Sequence, residues 1–186
     1  KEKGKKEKSS LLKIAIEEEK YQIIRFLLSK QEIKVNTKLF KKSKDKSSEI
    51  TALHYAIKRE NVESVRLLLE NPEINLNIKS YKRSKDKAEE FTALHIAVQK
   101  ENIEIVKLLL SRQEIDVNVK SFQLEKDTRS ENTALHIAVE KGNTEIVRLL
   151  LSRKEIDLNI RSIKQSKTKL KEMTVLNIAT KNGNTE

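Results

Sequence analysis

The chain has 186 residues, of which 36% are charged and 37% are apolar, and its formal net charge is +11. It contains no cysteine, which excludes disulfide frameworks, thiolate zinc sites and cysteine nucleophiles. No apolar run approaches the roughly 18 residues of a membrane span, and the start of the chain is polar and basic. We therefore expect an intracellular protein without membrane insertion, cytoplasmic rather than nuclear.

A six-residue motif recurs at a fixed spacing and predicts the organisation of the whole chain. Thr-Ala-Leu-His-x-Ala begins at Thr51, Thr92 and Thr133, and a decayed copy begins at Thr174, so that each step is 41 residues. A weaker copy begins at Ser10. Self-similarity with a period of about 20 to 50 residues is typical of stacked supersecondary units, which build extended surfaces instead of one enclosed core.

In chain order, each unit predicts a helix, a turn, a second helix and a long hairpin. In the third unit, Thr92 is a candidate helix N-cap, and its helix is expected to end near Lys100. A second helix follows from Asn102, because apolar residues then recur at helical spacing. A polar, partly alternating segment over 114–132 predicts the hairpin. The predicted units are 10–50, 51–91, 92–132, 133–173 and an incomplete 174–186.

The two ends of the chain align with the interior of a unit. Residues 1–9 align with 42–50, the second half of a hairpin, and Glu186 stops where a second helix would begin. Natural repeat arrays usually end in capping units with a polar outer face. The sequence therefore predicts a single array that is a fragment of a longer protein.

Two further sets of positions recur with the period. An asparagine follows each second helix, at Asn36, Asn77, Asn118 and Asn159. An asparagine side chain can satisfy the backbone of a turn, and we expect that role here. In the turn between the helices, Glu60 and Glu101 stand where later units have Gly142 and Gly183. If this turn requires a left-handed residue, the two glutamates are strained relative to glycine.

The motifs resemble the ankyrin repeat, whose signature is Thr-Pro-Leu-His-x-Ala followed by a helix that ends in leucines. The match includes the run Asn-Thr-Glu-Ile-Val-Arg-Leu-Leu-Leu over 143–151 and extends from about Leu11 to the end of the chain. Alanine replaces the signature proline in three copies and valine in the fourth. Armadillo and HEAT arrays also have periods near 41 residues, but they lack this motif.

The resemblance implies an all-α repeat, namely an ankyrin solenoid of stacked helix-turn-helix units with extended hairpin loops and right-handed stacking. The period exceeds the usual ankyrin length of about 33 residues, and most of the surplus lies in the hairpins. These hairpins also carry most of the positive charge: 34–50 and 160–173 each have a net charge of +4, whereas 119–132 is neutral. The lysines either protect exposed strand edges or attract acidic partners, and the two interpretations are compatible.

Two columns of residues run through the hairpins. The first contains Phe40, Tyr81, Phe122 and Ile163, and we interpret it as a brace between adjacent hairpins. The second changes chemistry from unit to unit and is a candidate partner-binding column: Ile50, Phe91, Asn132 and Met173. The ankyrin resemblance implies partner contacts at the hairpin tips, at this second column and at the last exposed residues of each first helix. Those helix positions include Lys58, Arg59, Gln99, Lys100, Glu140 and Lys141.

The sequence offers no catalytic or metal-binding constellation. His54, His95 and His136 lie in equivalent helices, whose axes are about 8–10 Å apart in packed arrays, too far to share one zinc ion. The resemblance implies instead that each histidine hydrogen-bonds within the turn of its own unit. The chain has no glycine-rich phosphate loop, and no histidine or acid recurs beside the hairpin serines. We predict neither an enzyme nor a bound metal or cofactor.

Variable columns on a repeated frame favour a monomeric, non-catalytic scaffold that binds a partner protein, acidic proteins among the candidates. The contacts would be the hairpin tips and the concave first-helix face. The alternative is polyanion or nucleic-acid binding through the Lys-rich hairpins, where Phe40, Tyr81 and Phe122 could stack on bases. Against this alternative, the positive charge is uneven along the array and acidic residues interrupt most basic runs.

Overall fold

The computed structural model describes residues 11–183, in which pairs of short helices alternate with pairs of short strands. The helices are α1 (11–17), α2 (Tyr21–Leu28), α3 (Ala52–Lys58), α4 (Val62–Leu69), α5 (Ala93–Lys100), α6 (Ile103–Leu110), α7 (Ala134–Lys141), α8 (Thr144–Leu151) and α9 (Val175–Lys181). The strands are β1 (Leu39–Lys42), β2 (Ser47–Ile50), β3 (Ser80–Ser84), β4 (Lys87–Phe91), β5 (Phe122–Glu125), β6 (Thr128–Glu131), β7 (Ser162–Gln165) and β8 (Leu170–Met173). The predicted order of helix, turn, helix and hairpin therefore recurs along the described chain.

The first helices α3, α5 and α7 begin after a threonine that makes three polar contacts with the histidine three positions later. In α3, Thr51 Oγ1 lies 2.7 Å from His54 Nδ1, and the Thr51 backbone N–H donates to the same nitrogen at 3.3 Å. The His54 backbone N–H donates in turn to the Thr51 hydroxyl oxygen. The threonine–histidine pairs of α5 and α7 make the same bonds. The prediction that each histidine hydrogen-bonds within its own turn is confirmed.

The turn between paired helices requires a left-handed residue. Glu60 and Glu101 have φ angles of 56° and 57°, and Gly142 and Gly183 have 70° and 71°. Glycine adopts this conformation without a steric penalty, whereas a residue with a Cβ is strained. The two glutamates therefore occupy strained positions, as the comparison of units in the sequence suggested.

Asparagines cap the second helices and so fix where these helices begin. The Asn61 side-chain oxygen accepts from the Ser64 backbone N–H at 2.9 Å. Asn102 and Asn143 cap α6 and α8 in the same way, each at 3.0 Å. A side-chain acceptor at this position satisfies one of the backbone N–H groups that a helix start leaves unpaired.

Buried apolar residues form one continuous core along the stack. Leu53, Leu94 and Leu135, the leucines of the recurring motif, are each 1% exposed. First helices pack on first helices, in the order α3, α5, α7 and α9, and second helices pack on second helices, in the order α2, α4, α6 and α8. Each unit therefore contacts its neighbours, as expected for a solenoid.

A ladder of asparagines joins each unit to the next. Asn36 Nδ2 donates to the Glu73 carbonyl at 2.7 Å, and Asn36 Oδ1 accepts from the Asn75 backbone N–H at 2.8 Å. Asn77 and Asn118 make the equivalent bonds at the next two junctions. The asparagine side chains therefore form hydrogen bonds with the backbone of a turn, as predicted. That turn belongs to the following unit.

The hairpins form one antiparallel sheet in the order β1-β2-β3-β4-β5-β6-β7-β8. The second strand of each hairpin pairs with the first strand of the following hairpin, for example β2 with β3 and β4 with β5. The prediction of an all-α repeat with hairpin loops is therefore wrong, because the described chain combines stacked helices with a continuous sheet. Pairing between units satisfies the strand edges that a single polar hairpin would expose, and stacking brings these edges together.

The predicted bracing column lies along one face of the sheet, but its members alternate with glutamates. Phe40 stands opposite Glu49, and Glu49 stands opposite Tyr81. The same alternation continues to Phe122 and Ile163. Neighbouring strands are about 4.8 Å apart, so column members on adjacent hairpins are separated by about 10 Å. Backbone pairing therefore joins the hairpins, and the members of the column are too far apart to stack directly on one another.

Candidate interaction surface

One face of the sheet looks toward the first helices. Phe91, at the end of β4, packs on His95 of α5, with ring centroids 6.2 Å apart. Side chains alternate across a strand, so Glu89 projects from the same face of the sheet as Phe91. We call this the inner sheet face. Its central row, from β1 to β8, contains Lys41, Ser48, Lys82, Glu89, Gln123, Ser130, Lys164 and Lys171.

The contact positions predicted at the ends of the first helices differ in exposure. Lys58 and Gln99 are half-buried. The exposed positions are Arg59, Lys100, Glu140 and Lys141. These residues end α3, α5 and α7, whose N-termini are fixed by the threonine–histidine caps. The repeated caps therefore present a different pair of side chains at the end of each first helix.

Two of these lysines join neighbouring units. Lys100 Nζ lies 3.0 Å from Glu60 Oε1, and Lys141 Nζ lies 2.6 Å from Glu101 Oε1. The hydrogen bond from each lysine lowers the pKa of its glutamate carboxyl. Both pairs are solvent-exposed, and exposed ion pairs are weak, so a carboxylate on a partner can compete for these lysines.

Lys58 differs from the other lysines of the first helices. It is half-buried, and no carboxylate in the described part of the chain lies within ion-pair distance of it. Burial lowers the pKa of its ammonium, the positive charge of Lys82 lowers it further, and Glu89 acts in the opposite direction. The fold therefore leaves the Lys58 ammonium near the positive charge of Lys82, with no carboxylate of the described chain paired to it.

The predicted partner-binding column is partly covered by the chain itself. The side chains of Phe91 and Asn132 are only 5% and 8% exposed. Ile50 and Met173 are half-buried. The column therefore offers side-chain surface mainly at Ile50 and Met173, while its two central members belong to the interior.

Recurring serines support this column, a role that sequence reasoning missed. The Ser80 hydroxyl donates to the Phe91 carbonyl at 3.0 Å, and the Ser121 hydroxyl donates to the Asn132 carbonyl at 2.8 Å. Ser162 makes the equivalent bond in the last hairpin. The signal in the sequence was the constant spacing of 11 residues between each serine and its acceptor.

The hairpin column lies on the opposite, outer face of the sheet. Phe40 is 55% exposed, whereas Tyr81, Phe122 and Ile163 are half-buried. The Arg129 guanidinium carbon lies 5.7 Å from the centroid of the Phe122 ring, a cation–π distance. Phe40 is therefore the column member whose ring has the most surface open to a partner.

The three histidines are buried parts of the frame. Burial lowers the pKa of His54 and His95 to about 4, and it also lowers the pKa of His136. His95 Nε2 lies 3.1 Å from the Asn132 carbonyl oxygen of the next junction. Within residues 11–183, no group of three or more His, Cys, Asp or Glu residues is arranged to hold a metal ion.

A cationic concavity lies between the first two hairpins. Its volume is about 350 Å³, and it is lined by Lys41, Lys46, Lys82, Arg83, Ser43, Ser47, Ser48 and Ser84. Basic groups and hydroxyls line it without any carboxylate, so its chemistry suits an anion. The sequence showed the separate lysines, but only the pairing of β2 with β3 brings the two hairpins together.

Comparisons with known proteins agree with this architecture. A family profile described as "Ankyrin repeats (3 copies)" matches residues 12–121, 82–162 and 119–186. No curated protein matches the chain significantly. No helix within the described range has the length and apolar character required to cross a bilayer. Since the profile matches together cover nearly the whole sequence, the chain belongs to the ankyrin-repeat family.

Proposed function

We propose that this array is a non-catalytic scaffold that binds a partner protein through the hairpin tips and the face formed by the first helices. Ankyrin repeats are in general protein–protein interaction modules, which supports the broad function. The finer proposal concerns the surface that binds. We also propose that the units act together as one monomeric array, because neighbouring units share a core and a sheet.

The observation that carries this proposal is the contrast between a constant frame and variable helix ends. The cap and ladder residues recur from junction to junction. One equivalent position in the last turn of the first helices instead changes from Lys58 to Gln99 to Glu140. Variation in charge at equivalent surface positions suits the recognition of one asymmetric partner better than a purely structural role.

We assign partner contact to the exposed and half-buried members of the predicted surface. These are Ile50 and Met173 of the partner-binding column, together with Lys58, Arg59, Gln99, Lys100, Glu140 and Lys141. Phe91 and Asn132 have little free side-chain surface, and we propose that they support the contact surface from below. Aromatic and Arg residues often dominate interfaces, so Arg59 is the first helix position to test.

The experiment is affinity capture with nuclease treatment, followed by mass spectrometry and a binding measurement on each captured protein. The surface variant combines Arg59→Ala, Gln99→Ala and Glu140→Ala. The matched control combines Gln22→Ala, Gln113→Ala and Lys154→Ala, three exposed positions outside the first helices and the sheet. We expect the surface variant to weaken binding by about tenfold or more and the control by less than about twofold. Equal binding by both variants would exclude the proposed surface.

Nucleic-acid binding is a second candidate, favoured by the cationic concavity and by the exposed ring of Phe40. Contacts to several phosphates release counterions, so affinity for an oligonucleotide should fall by about a thousandfold or more between roughly 50 and 200 mM salt. Titration with a generic duplex and a single strand at both salts tests this candidate. Micromolar binding that persists at the higher salt would contradict a scaffold that binds proteins alone.

A further inference from the structure

Two lysines of the inner sheet face, Lys41 and Lys82, lie at the same end of the array as Lys58 of α3. Lys41 in β1 stands opposite Ser48 in β2, and Ser48 stands opposite Lys82 in β3. Directly opposed residues in antiparallel strands project from the same face of the sheet. Lys41 and Lys82 are two strands apart, which places their backbones about 10 Å from each other. Lys58 ends α3, which contacts β2, and it is close enough to Lys82 for that positive charge to lower its pKa.

The carboxylates of the described chain balance little of the positive charge of these three lysines. Lys82 Nζ lies 3.9 Å from Glu89, at the limit of an ion pair, and neither Lys41 nor Lys58 forms an ion pair with a described residue. Serine hydroxyls from both hairpins add neutral hydrogen-bond donors to the adjoining concavity. Since Lys58 is half-buried, bulk water screens its charge less than that of an exposed lysine. A carboxylate from outside the chain would complete the local charge balance.

We infer that an acidic segment of the partner protein binds here, with side-chain carboxylates between Lys58 on one side and Lys41 and Lys82 on the other. This inference rests on the proposed scaffold function and names the chemistry of the partner. An extended polyproline II segment places residues three apart on one side at about 9 Å, close to the separation of the two strand lysines. Acidic side chains at that spacing can therefore contact both hairpins at once.

The charge along the rest of the surface argues for a short acidic segment and against a nucleic acid. Beyond Lys82, the central row of the inner sheet face continues with Glu89, Gln123 and Ser130. The helix position equivalent to Lys58 becomes Gln99 and then Glu140. A phosphate backbone carries charge at every nucleotide and would meet neutral and acidic groups within one or two units. A peptide with a local acidic cluster avoids that repulsion.

The experiment measures binding of a fluorescein-labelled, capped peptide of alternating Asp and Glu at about 150 mM salt. The same peptide with Asn and Gln is the neutral probe, and a labelled single-stranded oligonucleotide is the third. The test variants are Lys58→Gln and the double variant Lys41→Gln with Lys82→Gln. The matched control is Lys164→Gln with Lys171→Gln, which removes two lysines from the same row at the other end of the sheet.

We expect the acidic peptide to bind and the neutral peptide to bind at least about tenfold more weakly. Each test variant should lose about tenfold in affinity, and the control should lose less than about twofold. Equal losses in the test and control doubles, or equal binding of the neutral peptide, would overturn the inference. Tighter binding of the oligonucleotide at the same lysines would overturn it in favour of nucleic acid.

One further variant and one combination of outcomes keep the result interpretable. Lys58→Arg keeps the charge and should retain binding within about twofold, so it separates loss of charge from loss of fold. Failure of this variant to bind, with unchanged circular dichroism and melting temperature, would contradict the role of the Lys58 charge. If the acidic peptide does not bind but the triple surface variant still loses partner capture, the scaffold function stands and only the acidic site is wrong.

Discussion

The helical stack and the hairpin sheet join neighbouring units in different ways. In the stack, recurring side chains make the junctions: buried leucines, threonine–histidine caps and the asparagine ladder. In the sheet, backbone pairing makes the junctions, while paired side chains change from Lys41 opposite Ser48 to Lys164 opposite Lys171. Where side chains make the junction, the same residues must recur in each unit. Where backbone hydrogen bonds make the junction, the side chains are free to vary. The sheet can therefore acquire specificity without loss of fold, as the variable ends of the first helices can.

The largest effect expected from this comparison is a loss of stack stability in mild acid. The caps need neutral histidine, since each Nδ1 accepts from a threonine backbone N–H, and burial holds the pKa of His54 and His95 at about 4. The pKa of an unfolded histidine is about 6.5, so below that pH the unfolded chain binds more protons and the free energy of unfolding falls. Between about pH 7 and about pH 5, each of these histidines should lower the free energy of unfolding by about 2 kcal/mol. Urea unfolding across this range measures the slope, and most carboxylates stay ionised above its lower end.

The chain supplies its own control for this prediction. Asn177 replaces the histidine in the last unit, and its Oδ1 accepts from the Thr174 backbone N–H at 3.1 Å. Replacing His54, His95 and His136 with asparagine should therefore keep a capping acceptor and flatten the pH dependence. If the free energy of unfolding of this triple variant keeps the same dependence on pH, the acid sensitivity arises elsewhere. The buried stack would then not differ from the solvated sheet in the way described above.

The next largest effect separates a core side chain from a sheet side chain. Leu135→Ala removes a side chain that is 1% exposed, so it should lower the free energy of unfolding by about 3 kcal/mol. Leu124→Ala in β5 changes the same residue type where it is half-buried, and it should cost about 1 kcal/mol. Equilibrium urea unfolding compares the two. Equal losses would mean that the sheet contributes side-chain packing comparable to that of the stack.

These contrasts also explain how far the sequence could predict the fold. Helix starts were visible because the signals are local: Thr92 and His95 lie within one turn, and Asn102 precedes an apolar repeat. The continuous sheet was not visible, because pairing of Glu49 with Tyr81 depends on how two units stack. The sequence of a single hairpin does not determine its register with the next hairpin.

The candidate surface was predictable to the same extent. The helix-end positions followed from the ankyrin resemblance, and the structure leaves most of them exposed. Phe91 was assigned to partner contact because its column varies, and the structure buries its ring against His95. Burial is the main cause of the lowered pKa of Lys58, and the second cause is Lys82, which is distant in sequence and comes near only after the hairpin folds back. Periodicity identifies equivalent positions, but burial at each position depends on contacts between units.

A smaller effect concerns the left-handed turn inside the stack. Gly142 has φ of 70°, and a Cβ placed there would meet no atom within 4 Å, so Gly142→Ala tests backbone strain without a steric clash. It should cost about 1 kcal/mol in urea unfolding. Glu101→Gly is the reciprocal change and should raise stability, although it also removes the exposed pair with Lys141. A stabilising Gly142→Ala would contradict the requirement for a left-handed residue.

The smallest effect is expected at the hairpin tips, where Lys167 Nζ lies 3.0 Å from Asp127 Oδ2. Both side chains are mostly exposed, so their coupling should be below about 0.5 kcal/mol and should vanish in high salt. A double-mutant cycle with Asp127→Asn and Lys167→Gln measures this coupling directly. Coupling above about 1 kcal/mol would mean that tip charges hold the sheet together. Lys167 would then be less available to a partner, and the hairpin tips would have a structural role instead of a role in recognition.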